Sequence, residues 1–172
     1  MEQQEFTGTE APATAADLRA IEQEYGFVFP EDYKAHILRV NGGWPRRNTF
    51  LQSRENGRTT ERDINQFKPV QHGSYTLERS LESLRDQLHP DLIPFADEAG
   101  GDQFCLSVGP EDYGSVYYIA HESYRPPAFL EDDELVPQPR EYGEGVHFLA
   151  PSFTAFLEGL IEVPDEDDED EV

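Results

Sequence analysis

The side chains through which this sequence could do acid–base, nucleophilic or metal chemistry are five histidines, one cysteine and thirty-six carboxylates. Their spacing works against all three. His36, His72, His89, His121 and His147 are scattered, with no HxxxH or CxxC pair to bring ligands together. Cys105 sits in the apolar run Phe104-Cys105-Leu106, which predicts a buried strand. There a thiol packs as a small hydrophobe, whereas a nucleophile needs an exposed, electropositive setting. There is no GxSxG elbow and no phosphate loop. Gly42-Gly43 and Gly100-Gly101 lack the third glycine and the strand-to-helix context of a dinucleotide fingerprint. The sequence thus predicts no catalytic residue, no metal and no cofactor, and points to a protein that works by binding.

The carboxylates carry the strongest signal. Asp97, Glu98 and Asp102 flank Gly100-Gly101 and are a weak pattern for a divalent cation, since acids and glycines also build ordinary turns. Glu131-Asp132-Asp133-Glu134 fits no EF-hand spacing and reads as a solvated or partner-facing edge. Thirteen Lys+Arg against thirty-six Asp+Glu give a formal charge of −23. Nucleic acid and anionic membranes bind through cationic side chains and repel such a chain, whereas a basic protein is attracted and steered. The charge is unevenly spread. Residues 1–68 hold nine basic and eleven acidic side chains, a net of −2, and residues 69–172 hold four and twenty-five, a net of −21. Residues 44–68 form a basic island with Arg46, Arg47, Arg54, Arg58, Arg62 and Lys68, a solvated hairpin face that balances nearby acids.

The elements that must position these groups follow from periodicity. Residues 1–13 are polar and unpatterned, and read as a flexible arm. Thr14 with Asp17 is a capping box, after which Leu18, Ile21 and Tyr25 recur at helical spacing up to Gly26. A second helix runs from Pro30 with Tyr33, Ile37 and Val40 on one face, ended by Asn41-Gly42-Gly43, where Asn41 and Gly42 are suited to left-handed conformations. Residues 49–52 and 64–67 read as strands about an Asn56-Gly57 turn. Leu77, Leu81, Leu84 and Leu88 suggest a third helix. Residues 92–96 read as an edge strand because of Pro94, and 103–108 and 115–121 as central strands. Residues 123–145 form a long acidic loop. Ser152 caps a last helix with the stripe Phe153, Phe156, Leu157, Leu160 and Ile161. The acidic run 165–171 is the bulk of a disordered tail over residues 164–172, leaving 14–163 as one domain. This order of helices and strands favours an α+β class with an antiparallel sheet. A single cysteine permits no internal disulfide. With no signal-peptide pattern in residues 1–17 and no apolar run near the ~20 residues of a membrane span, the chain reads as cytoplasmic.

Two ordered motif sets resemble a known family. One is Phe29-Pro30-Glu31-Asp32-Tyr33-Lys34 followed by Val40-Asn41-Gly42-Gly43-Trp44-Pro45. The other runs from Ile93-Pro94-Phe95-Ala96-Asp97 through Gly100-Gly101-Asp102 and Phe104-Cys105-Leu106 to Gly114-Ser115-Val116-Tyr117-Tyr118 and His121-Glu122. Together they resemble the SUKH superfamily in its SMI/KNR-type branch, from about Leu18 to about Ile161. The resemblance implies a central antiparallel sheet flanked by helices. It also implies, for a bacterial chain, an immunity protein that neutralises a secreted polymorphic toxin, and for a fungal one, a non-catalytic regulatory scaffold. The compact length favours the bacterial branch. For a toxin with a basic, nucleic-acid-cleaving groove, the expected contact residues are Glu131, Asp132, Asp133 and Glu134, with Asp97, Glu98, Glu111 and Asp112 near the strand connections.

Overall fold

The structure, a computed structural model, describes residues 4–54, 56–84, 87–124, 142 and 144–163. Helix α1 (Ala15–Tyr25) opens on the capping box: the Asp17 N–H donates to Thr14 Oγ1 at 3.1 Å and the Thr14 N–H to the Asp17 carboxylate at 2.9 Å. It closes at Gly26, whose φ of 74° is the left-handed stop a side chain would oppose. Helix α2 (Glu31–Arg39) follows Pro30 and buries Tyr33, His36 and Ile37. The stop after it differs from the expected one. Asn41 is not left-handed; it is buried, and its amide donates to Ala11 O and Val70 O while its Oδ1 accepts from the Val70 N–H. The reversal falls to Gly42, with φ 72° and so close to Pro69 that a Cβ would lie 2.8 Å from it. Asn41 therefore ties the end of α2 to two separate stretches of chain.

Residues 4–13 are docked where a loose arm was expected. Strand β1 (Phe6–Thr7) pairs with β2 (Trp44–Pro45), and Phe6 packs its ring on His36 and Phe67 at 5.3 Å each. A short β-pair and one aromatic anchor hold what composition alone marks as loose.

The hairpin β3 (Thr49–Ser53) and β4 (Thr59–Asp63) is tighter than expected, with the return strand at 59–63 and not 64–67. Residues 66–67 instead form β5 (Gln66–Phe67), the first strand of a five-stranded antiparallel sheet. Helix α3 (Leu77–Ser83) ends before Leu84 and Leu88. The sheet continues with β6 (Leu92–Asp97), β7 (Gln103–Ser107), β8 (Val116–Ile119) and β9 (Val146–Ala150), in the order β5-β6-β7-β8-β9. β6 is therefore interior, in spite of Pro94. The proline sits at a register shift, and β5 pairs only with Ala96 and Asp97, so no ladder donor is needed from it. The final apolar stripe is split. Helix α4 (Phe153–Glu158) carries Phe153 and Phe156, and after Gly159 the chain extends as β10 (Leu160–Ile161) against β3.

Each face of the five-stranded sheet is covered, which is why its strands read as continuous apolar runs. Ile93, Phe95, Phe104, Leu106, Val116 and Tyr118 face a core shared with all four helices, in which Phe153 and Phe156 are fully buried. Leu92, Cys105, Tyr117 and Ile119 face a smaller cluster closed by Leu88, Tyr124 and Tyr142. Cys105 lies in that strand as expected, and burial pushes its thiol up to about 12.

Candidate interaction surface

The acidic residues singled out from the sequence fall at opposite ends of the sheet. Asp97 and Glu98 lie where β6 turns into β7, and Glu111 and Asp112 in the connection from β7 to β8. The five residues of β7 separate the two corners, about 17 Å at strand rise. Glu131, Asp132, Asp133 and Glu134 lie outside the described residues, as does the tail 164–172.

At the β6–β7 corner the carboxylates hold the turn together. Glu98 accepts from the Gly100 N–H through its side chain, and its own N–H donates to Asp102 O at 2.9 Å. Asp97 accepts from Asn65 Nδ2 at 3.2 Å. Asp102 accepts from the Tyr118 hydroxyl, from the His121 N–H at 2.9 Å and from the His121 ring. Burial raises the Asp102 carboxyl, but the bonds from Tyr118 and His121 prevail and hold it below the usual range. The bond to Asp102 in turn raises His121. Arg62 lies over the Tyr118 ring at 4.2 Å, so this corner carries its own cations. The cation-site pattern at Asp97, Glu98 and Asp102 is not realised as a ligand cage: among the described residues no group of three His, Cys, Asp or Glu side chains is placed to hold a metal ion.

The β7–β8 corner is built differently. Asp112 is 2% exposed, which removes it from the expected surface contacts. Its carboxylate accepts three hydroxyl bonds, from Ser107 at 2.5 Å and from Tyr117 and Tyr142 at 2.7 Å each. No lysine, arginine or histidine comes within ion-pair distance of it among the described residues. Glu111 is exposed beside it. Above Asp112 opens a cleft of about 400 Å³ lined by Glu111, Tyr113, Ser115, Tyr117, Phe148 and Pro151. Tyr113 and Phe148 are 47% and 52% exposed, large apolar rings left at the surface. The Tyr113 ring is fixed by its hydroxyl, which donates to Val28 O at 2.6 Å, and Phe148 meets Tyr117 edge-on at 5.7 Å.

Tyr113 and Phe148 are the residues that sequence reading missed. Tyr113 had one signal, an aromatic in the middle of the turn-forming run Gly109–Gly114. Phe148 had none, because no strand was expected at 146–150, which the structure forms as β9.

The basic island is also sorted by the fold. Arg54 and Arg58 are exposed on the β3–β4 hairpin. Lys68 is buried, its Nζ donating to Ser80 Oγ at 2.7 Å and Gln103 Oε1 at 2.6 Å, and burial lowers its pKa. It belongs to the interior. No helix among the described residues is long and apolar enough to cross a membrane.

Comparison with known proteins places this geometry. The profile of the SMI1/KNR4 family (SUKH-1) matches residues 12–159. A similar protein is the SPbeta prophage-derived uncharacterized protein YokK of Bacillus subtilis strain 168, 22% identical over 179 aligned residues that cover 92% of this chain and 80% of that protein.

Proposed function

Since the chain belongs to the SMI1/KNR4 family (SUKH-1), we propose that it is a bacterial immunity protein that binds a cognate secreted toxin domain in the cytoplasm and masks its active site. The observation that carries this reading is family membership joined to the net charge of −21 on residues 69–172. An acidic cap complements the basic groove of a nuclease toxin, and long-range attraction speeds capture before damage is done. The prophage-derived relative is bacterial, which supports the immunity branch over a fungal scaffold. Catalysis has no part in the proposal. The motif glycines Gly42 and Gly101 serve chain reversals at positive φ, Asn41 ties α2 to Ala11 and Val70, and Cys105 is buried with its thiol pushed up to about 12.

The test is genetic and direct. A toxin gene neighbouring this one is expressed in a sensitive host with and without the chain. Growth restored by the chain, together with a one-to-one complex on co-purification, is the expected result. A toxin that kills regardless, or recovery of several envelope or signalling enzymes in place of one toxin domain, rejects it.

A further inference from the structure

We propose that the cleft between the β3–β4 hairpin and β9 is a receptor for a single phosphate group, free or carried on a small molecule. The cleft, of about 460 Å³, is lined by Gln52, Ser53, Arg54 and Asn56 from the hairpin and by His147 from β9. None of these residues is acidic, in a chain where thirty-six carboxylates face thirteen Lys and Arg. Glu55, between two of them in sequence, lies outside the described residues. Strand alternation produces this sorting. Gln52, Thr60 and Arg62 share the hairpin face turned towards the five-stranded sheet, where Arg62 lies 4.2 Å from the Tyr118 ring centre. Arg54 joins that face, its Nη1 donating to Thr60 Oγ1 at 2.7 Å, and Arg62 Nε donates to Gln52 Oε1 at 2.8 Å. His147 pairs with Tyr118 in the sheet beneath. Glu61 and Asp63 flank Arg62 along β4 and so belong to the other face.

The acceptors around this cleft are used internally, and the donors are left over. Gln52 offers its oxygen to Arg62, and Asn56 Oδ1 accepts from the Arg58 N–H at 3.0 Å. Both side chains therefore keep an amide NH2 with no partner among the described residues. Among those residues no carboxylate comes within ion-pair distance of Arg54, Arg58 or Arg62. A guanidinium carries five N–H donors in a planar fork that matches two phosphate oxygens, so Arg54 and Arg62 retain donors after their single internal bonds. Burial lowers the pKa of His147, and Arg62 and Arg54 lower it further against the opposing pull of Asp102. Both guanidinium charges thus reach across the cleft, while Asp102 is engaged by Tyr118 and His121. The overall charge of −23 selects the size of the ligand. A nucleic acid strand would bring many phosphates against the acidic remainder, whereas one phosphate group meets mainly the local field.

The probe is inorganic phosphate, titrated into the full-length chain at constant ionic strength and followed by NMR of the His147 ring and the arginine Nε–H groups. Chloride is the control. Saturable shifts at His147 and Arg54 with phosphate alone are expected, and Arg54→Gln weakens binding by about tenfold. Arg19→Gln, at an exposed position on α1, leaves it unchanged. Arg54 is exposed as well, and an unchanged thermal melt confirms that both variants fold. Shifts that never saturate, equal shifts with chloride, or undiminished binding by Arg54→Gln overturns the proposal. Tighter binding of a short single-stranded oligonucleotide than of phosphate overturns it too, by making the hairpin a nucleic-acid surface. The titration contains no toxin, so it is decided separately from the immunity reading.

Discussion

Two neighbouring tyrosines on β8 reach carboxylates at opposite ends of the same sheet, and the two pairs have opposite consequences. Tyr118 donates to Asp102 at the β6–β7 corner, and Tyr117 donates to Asp112 at the β7–β8 corner. The first carboxylate also holds His121, with Arg62 over the tyrosine ring, so charge is matched locally. Among the described residues the second accepts only from hydroxyls, beside a cleft where the Tyr113 and Phe148 rings are exposed. The difference teaches that acidic count does not locate a binding face. What matters is whether the fold has already answered each charge.

The comparison can be broken first at its scale. Phe156→Ala removes a fully buried ring from the larger core, on the Tyr118 face of the sheet, and should cost about 3–5 kcal/mol. Leu157 is only half-buried, and its alanine variant should sit near about 2 kcal/mol. Urea denaturation reads both, and equal losses would mean that α4 does not face the core as described.

Next comes the contrast itself. Asp112→Ala strands three buried hydroxyls and should cost about 2–4 kcal/mol, against about 1 kcal/mol for Asp102→Ala at its more open site. Tyr117→Phe should likewise be costlier than Tyr118→Phe. A reversed order in the same denaturation series would abolish the distinction between the corners.

The smallest effects are in pH dependence, and they separate corner from core. His121 is held above its ordinary value by Asp102. Its contribution is therefore complete below about pH 6.5 and is lost as pH rises through the raised value. Asp102, held low, loses its contribution as pH falls through its own pKa. Asp102→Asn should return His121 to the ordinary range, visible in an NMR titration of the ring; an unmoved His121 would show that the pair does not form. His36 behaves oppositely. Burial pushes it down to about 4, so the unfolded chain takes up a proton that the folded one refuses. Stability should decline from about pH 6.5 towards 4, and His36→Leu should remove that decline while Asp102→Asn leaves it in place.

The residue sequence determined a good deal by itself. Capping at Thr14, the stop at Gly26 and the central strands around Cys105 are local events, set by neighbours a few positions away, and these were legible. So was the α+β class, because periodicity and order of elements are written along the chain. The motif set was legible too, since it records which backbone positions need glycine, proline or asparagine. What only the tertiary structure decided depends on partners distant in sequence. Pro94 looked like an edge residue until β5 arrived beside it, short enough to leave its missing N–H unasked for. Residues 4–13 looked loose until Phe6 met His36 and Phe67. Asp97, Glu98, Glu111 and Asp112 looked alike as exposed acids. The fold gave two of them to a turn, buried one under three hydroxyls and left one at the rim of an aromatic cleft. Solvation and charge pairing are set by what surrounds a side chain in space, and a sequence orders residues only along one dimension.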